Sequence, residues 1–356
     1  MKSKWILAMT VALVIVIGVT MAMAGCKTTT TAETTAVAGT TAAAAVKDVK
    51  DIKIMLIPKQ TGNPYWDANV EGFKKAQTEL GFQFDFQGPQ LGTATSQIEF
   101  IEAAVQNKTD VIMLAANSPD AINQTIDDAR AAGTRIVIYN QDIPGNESHR
   151  DVAILPTDFS VVGAYQVECL GAVINYEGDI AILTATTDAP DQNFWIEGMK
   201  KALEDPKYAK MKLLTIAYGD DEPEKSTTEM EALITKYPTL KGVIAPTTVA
   251  VSAAAKVIQT KGLAGKIEVI GLGLPSEMRE YIKDGTVKQF QLWNPPKQGY
   301  LAGYYGVLLV QGLAGSEPGD KFTAGELGEY EITENDQILT GPPFTFDASN
   351  IDEFKF

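Results

Sequence analysis

From Asp51 onward, short runs of apolar, β-branched residues alternate with longer stretches whose apolar residues recur every three or four positions. The short runs are IKIMLI (52–57), VIMLAA (111–116), RIVIY (135–139), DIAILTA (179–185), KLLTIAY (212–218), GVIAP (242–246), IEVIGL (267–272) and VKQFQLW (287–293). Continuous apolar runs of this length read as strands buried on both faces. Between them, WDANVEGFKKAQTEL, TSQIEFIEAAVQN, AINQTIDDARAAG, EKSTTEMEALITKY and SAAAKVIQTKG carry helical spacing. Gly81, Gly133, Gly262 and Gly285 stand where helices should end, at positions that favour positive φ. The alternation restarts, with one series over 51–156 and another over 157–293. This predicts an α/β protein of two similar doubly wound parallel-sheet lobes.

In such sheets, ligands bind beyond the carboxyl ends of the strands. That rule selects Lys59, Asn63, Tyr65 and Trp66 after the first run, Asn117 after the second, and Asn140 and Asp142 after the third. In the second series it selects Asp188, Asp191, Gln192 and Asn193, then Thr247 and Thr248, then Trp293 and Asn294. The two sets should face each other across a cleft. Aromatic faces cover the apolar C–H patches of a sugar, while amides and charged groups take its hydroxyls. Tyr65 and Trp66 offer such faces, or they staple the first helix to its sheet. Lys59 offers donors and Asp191 acceptors; Asn63, Asn140, Gln192 and Asn294 offer both. The segment DQNFW (191–195) repeats the order of polar groups before aromatics, although Phe194 and Trp195 also suit a core.

Other chemistry finds little support. There is no GxxxxGK[ST] loop, no CxxC pair and no GxGxxG after the first strand. The single histidine, His149, sits in the polar loop GNESHRD, so neither a serine–histidine triad nor a histidine metal site is expected. No enzyme activity, metal or cofactor is predicted. Formal net charge is -15, which disfavours nucleic acid as a partner.

The N-terminus has the build of an export signal. Lys2 and Lys4 precede the apolar stretch WILAMTVALVIVIGVTMAMAG, and Met23-Ala24-Gly25-Cys26 resembles a bacterial lipobox. Residues 1–25 are therefore expected to be removed and Cys26 lipidated, anchoring the chain outside the cytoplasmic membrane. The Thr/Ala-rich segment up to residue 50 reads as a flexible tether. Cys169, in VVGAYQVECLGAVI, reads as a buried small hydrophobe.

With these residues in hand, the chain from 51 onward resembles periplasmic sugar-binding proteins of the ribose-binding type, nearest the rhamnose- and autoinducer-2-binding branch. The matching pieces are IPKQTGNPYWD, AANSPDAI, DAPDQNFWIEGMKKAL, VIAPTTVAVSAAAK, VIGLGLPSEMREYIKDGTVKQFQLWNPPKQG and FTFDASNIDEFKF, in that order. The resemblance implies that Asn63, Tyr65 and Trp66 form a sugar-stacking wall. It implies a ligand-binding role for Lys59, for the pair Asp191 and Gln192, and for the cleft proline Pro246. The chain departs from ribose binders at Asn140 and Gly273, where they carry aspartates, and at Gln141, where they carry arginine. Thr248 replaces an alanine of the autoinducer-2 branch. These departures speak against ribose; a deoxyhexose such as rhamnose, another monosaccharide and autoinducer-2 stay open.

The resemblance also implies a hinge of three crossovers, near 156, 293 and 326. The first lobe would then hold 51–156 plus 294–326, and the second 157–293 plus 327–356. A monomer would deliver its ligand to an ABC permease with a separate ATPase, or present it to a chemoreceptor. A sugar-sensing repressor fits poorly, because the export signal is present and no basic helix-turn-helix segment is. An extracellular glycoside hydrolase lacks a carboxylate pair that the sequence singles out.

Overall fold

A computed structural model describes residues 46–356. The signal segment, Cys26 and the tether up to residue 45 lie outside the described residues. The first series runs β1 (Lys53–Ile57), α1 (Pro64–Leu80), β2 (Gln83–Phe86), α2 (Ile98–Gln106), β3 (Val111–Leu114), α3 (Asn123–Ala131), β4 (Arg135–Tyr139) and β5 (Val152–Leu155). The second runs α4 (Phe159–Ile174), β6 (Gly178–Thr184), α5 (Pro190–Ala202), β7 (Met211–Tyr218), α6 (Pro223–Lys236), β8 (Leu240–Ala245), α7 (Thr248–Thr260), β9 (Glu268–Gly271), α8 (Pro275–Lys283) and β10 (Gln289–Leu292). The chain closes with α9 (Pro295–Gln311), β11 (Lys321–Thr323), β12 (Glu329–Glu331), β13 (Gln337–Leu339) and β14 (Phe344–Asp347).

The two sheets share one topology. The first has the order β13-β5-β4-β3-β1-β2, all parallel. The second has the order β7-β6-β8-β9, again parallel. A bridge from Leu272 to Gln291 then adds β10, which pairs antiparallel with β14. Each sheet therefore starts with its first strand inside its second, and each ends on a strand contributed from the C-terminal segment. Strands β3, β4 and β5 are apolar and almost wholly buried, as helices on both faces require. Each fully buried Val, Leu or Ile there contributes about 1.5–3 kcal/mol relative to exposure.

Three features depart from the sequence pattern. Residues 337–339, assigned to the second lobe with a crossover near 326, instead form the edge of the first sheet beside β5. The third crossover therefore falls at 340–343. The buried Arg150 holds this strand in place: its guanidinium pairs with Asp142 at 2.6 and 2.8 Å and donates to the carbonyls of Asn335 and Asp336. Second, the end of the tether belongs to the fold. Asp48 caps a 3-10 turn at Val49–Asp51, and Lys47 Nζ pairs with Asp110 at 2.6 Å. Third, β2 and β5 lie outside the predicted runs. β2 alternates exposed and half-buried residues as an edge strand, and β5 is four residues long before Pro156.

A sequence repeat underlies the likeness of the lobes. Glu71-Gly72-Phe73-Lys74-Lys75-Ala76 in α1 matches Glu197-Gly198-Met199-Lys200-Lys201-Ala202 in α5, and both helices start with a proline eight residues before the glycine. Helix α1 packs along α9, and α5 along α4.

Candidate functional site

The cleft forms where the carboxyl ends of both sheets meet. After β1 the chain turns through Gly62, whose φ of 84° suits only glycine without strain. Asn63 then caps α1, its Oδ1 accepting from Tyr65 N at 3.0 Å, and Pro64 occupies the first helical position. This local geometry puts Tyr65 and Trp66 in the first turn, at the sheet's open edge. They form an edge-on pair with centroids 5.1 Å apart. The opposite lobe supplies Asp191 and Gln192 from the first turn of α5, and Pro246, Thr247 and Thr248 from the β8–α7 junction.

The cavity between them encloses about 430 Å³ of non-atom space, part of it open to solvent. It is lined by Lys59, Asn63, Tyr65, Trp66, Asn140, Asp191, Gln192, Pro246, Thr247, Thr248 and Trp293, all selected from sequence. It is also lined by Ala185, Trp195, Asp221, Leu272 and Leu292, which were not selected as site residues.

Contacts across the cleft join the lobes. Lys59 Nζ pairs with Asp191 Oδ1 at 2.5 Å, both side chains largely buried. Asn63 Nδ2 donates to Asp221 Oδ2 at 3.0 Å, and Gln60 Nε2 to the Asp221 carbonyl at 2.8 Å. Thr248 Oγ1 donates to Asn63 Oδ1 at 3.2 Å. Trp293, on the β10–α9 crossover, donates from Nε1 to the Tyr65 hydroxyl at 2.8 Å, and that hydroxyl donates to Asn140 Oδ1. Burial raises the Tyr65 hydroxyl above its ordinary pKa, so it stays protonated as a donor.

Several polar side chains brace the walls. Gln192 accepts from Thr184 Oγ1 at 2.8 Å and donates to the Pro246 carbonyl at 3.0 Å. Thr247 Oγ1 caps α7 by accepting from Ala250 N at 2.9 Å. Trp195 lies edge-on to Phe159, with centroids 4.8 Å apart, and 5.8 Å from Trp293.

Five of the residues selected at strand ends fall outside the cavity, three of them because their polar groups are already engaged. Asn117 spends its amide on the Lys59 carbonyl and Ser96 Oγ, holding the β1 and β3 loops together. Asp142 is neutralised by Arg150 and also accepts from Gln337 Nε2 at 2.7 Å. Asn294 caps α9, its Oδ1 accepting from Lys297 N at 2.8 Å. Of the other strand-end residues, Asn193 donates to the Thr187 carbonyl within its own loop, and Asp188 lies exposed beside Thr187. Phe194 is exposed, whereas Trp195 is both buried and part of the cavity wall. At Gly273 a Cβ would stand 2.7 Å from Met278 Cγ, so a longer side chain has no room there.

Away from the cleft, Cys169 is buried, and burial pushes its thiol up to about 11, so it is not a ready nucleophile. His149 is half-buried, with Nδ1 2.8 Å from Asp127 Oδ1. Among the described residues no group of three or more His, Cys, Asp or Glu is placed to hold a metal ion.

Carboxylates concentrate at one end of the cleft. Burial pushes the Asp221 carboxyl up, Asp191 adds to this, and Thr247, Lys59 and Asn63 oppose it. Glu277, on the first turn of α8, is pushed from 4.5 up to about 7 by burial and by the charge of Asp221. A raised carboxylate pKa binds its proton more tightly in the folded state. Its contribution to stability is then full below about pH 4.5 and is lost as pH rises through about 7. Glu277→Gln should remove on the order of 2 kcal/mol of that pH dependence, read from thermal melts between about pH 5 and pH 8. Melts with an unchanged pH slope would show that Glu277 does not titrate there.

A family model described as a periplasmic binding protein domain matches residues 54–314. The chain belongs to the periplasmic binding protein family. Its fold superposes on a sugar ABC transporter protein from Actinomyces odontolyticus with a TM-score of 0.69 at 40% identity, covering 87% of this chain and 99% of the other. It also superposes on an ABC transporter solute binding protein from Clostridium phytofermentas with bound L-rhamnose, with a TM-score of 0.81 at 35% identity, covering 85% and 98%. The binding protein LsrB from Clostridium saccharobutylicum, in complex with AI-2, shares the fold with a TM-score of 0.79 at 22% identity, covering 86% and 100%. As a sugar-type binding protein, the chain is built from two sheets whose carboxyl ends face one cleft.

Proposed function

We propose that this chain is the extracytoplasmic solute-binding protein of an ABC importer, taking up a neutral monosaccharide or deoxy sugar. The observation that carries this reading is the composition of the cleft. Tyr65, Trp66, Trp195 and Trp293 wall a cavity whose polar side chains come from both lobes. Aromatic faces cover the C–H faces of a pyranose, and amides and carboxylates meet its hydroxyls. Lys59, Asp191, Asn63 and Asp221 link the lobes, so ligand capture and lobe closure are one event in this account. The methyl group of a 6-deoxyhexose such as L-rhamnose suits the apolar stretch of Leu272 and Leu292. Delivery to a permease, and attachment to the membrane through Cys26, complete the proposal.

Three of the four tryptophans line the cleft, which makes intrinsic fluorescence a direct reporter. Titration of the full chain with L-rhamnose, D-ribose, L-arabinose and D-xylose should give a saturable change with one of them. A change produced only by autoinducer-2 would replace the monosaccharide with that signal molecule. A flat response to every ligand would contradict the reading.

A further inference from the structure

Buried polar atoms without partners are rare in folded proteins, and each needs a reason. Among the described residues, only two such side-chain atoms belong to residues that line the interlobe cleft: Asp221 Oδ1 and Trp195 Nε1. The first is an acceptor and the second a donor. Neither is free to turn away. Asp221 is clamped by Asn63 on Oδ2 and by Gln60 on its carbonyl. Its backbone lies in the left-handed region, with φ of 54° at Asp220 and 58° at Asp221. That conformation is uncommon for residues other than glycine and is held here by the surrounding contacts. Thr247 Oγ1 accepts from Ala250 N and bears on the Asp221 carboxyl, yet no hydrogen bond of ordinary geometry reaches Oδ1. Trp195 is wedged between Phe159 and Trp293.

We infer that Asp221 and Trp195 are specificity-determining residues that read two oxygens of the bound sugar, Asp221 accepting from a hydroxyl and Trp195 Nε1 donating to a second oxygen. This rests on the monosaccharide reading above and narrows it. The ligand must carry a hydroxyl donor and an acceptor oxygen that reach Asp221 and Trp195 while its ring meets Tyr65 and Trp66. It must also carry no negative charge. Lys59 is already paired with Asp191, and Asp221 adds a second carboxylate, so a sugar acid or sugar phosphate would meet uncompensated negative charge. The donor–acceptor pair therefore selects neutral polyols over their oxidised or phosphorylated forms.

The test uses the full chain, calorimetric titration, and whichever of L-rhamnose, D-ribose, L-arabinose and D-xylose binds best. Asp221→Asn keeps the shape and tolerates the left-handed backbone. It should weaken binding by roughly 10- to 100-fold, the effect of losing a charge-assisted hydrogen bond. Trp195→Phe keeps the ring packing and should weaken binding by about 10-fold. Thermal melts close to wild type would establish that both variants fold; if Asp221→Asn does not fold, Trp195→Phe carries the test. Monodeoxy analogues supply a readout that a structural role would not move. The analogue that loses most on the wild type should lose little more on Asp221→Asn. Wild-type binding with both folded variants unaffected, while Trp66→Ala abolishes it, would overturn this inference and leave the sugar reading standing. A wild-type chain that binds none of these sugars would overturn both.

Discussion

Gly72→Ala should destabilise the fold by about 3 kcal/mol, whereas the matching change Gly198→Ala should be neutral or slightly stabilising. The two glycines hold equivalent places in the repeated Glu-Gly-x-Lys-Lys-Ala motif. Their surroundings differ. A Cβ at Gly72 would stand 1.9 Å from the Pro296 carbonyl oxygen and 2.6 Å from Tyr300 N, both backbone atoms of α9. The contact is reciprocal, since a Cβ at Gly299 would stand 2.0 Å from the Asn69 carbonyl oxygen of α1. Backbone cannot rotate aside, so the two helices must part, and the gain in helix propensity of about 1 kcal/mol is outweighed. At Gly198 the nearest atom to an added Cβ is Gly163 Cα at 3.5 Å, an ordinary contact. In α4–α5 packing it is Gly163 that takes the close approach, with Trp195 O at 2.4 Å from its Cβ position. Thermal melts of the two alanine variants check this directly. A fall of several degrees for Gly72→Ala alone is expected. Equal melts would show that α1 and α9 do not cross so closely. Parting those helices also disturbs the site, because α1 carries Tyr65 and Trp66, and α9 carries Gln298, which lies 3.3 Å from the Tyr65 hydroxyl.

The second large effect is expected at Asp191. Asp191→Ala should weaken sugar binding at least about 100-fold, because it removes an acceptor from the cleft and leaves Lys59 partly buried without its counter-ion. Lys59→Met combined with Asp191→Ala should be less damaging to stability than Asp191→Ala alone, since no unpaired charge remains. Chemical denaturation of the two variants beside the wild type measures this. If the double variant is the least stable, the ion pair itself stabilises the closed arrangement more than its desolvation costs.

Much of this arrangement was legible in the sequence, for a physical reason. Parallel strands buried on both faces must be continuous apolar runs, and their loops must gather at one end of each sheet. That is enough to bring Lys59, Tyr65, Trp66, Asp191 and Thr248 to a common place. The same rule cannot tell which strand-end side chains are already satisfied. Asp142 looked available because its partner Arg150 sits in a loop eight residues on and also grips a strand from the far C-terminus. Asn294 carried a signal that favoured its actual role: an asparagine directly before Pro295 and Pro296 is an N-cap. Asp221 lies in the polar turn GDDEPE, yet it follows β7 at the carboxyl edge and could have been selected by the same rule. Trp195 is four residues after Asp191 on α5, so helical spacing already put the two on one face. Strand β13 had no such signal, because a short strand recruited from a distant segment is set by tertiary pairing.

The most direct test of the central claim is a thermal-shift screen of the full chain against neutral monosaccharides, deoxy sugars and polyols. A ligand at a hundred times its dissociation constant should add about 2.7 kcal/mol to stability. A clear rise in Tm is expected for one sugar or a small related group, lost in Trp66→Ala and Asp191→Ala. A cooperative melt that no sugar shifts would contradict that claim.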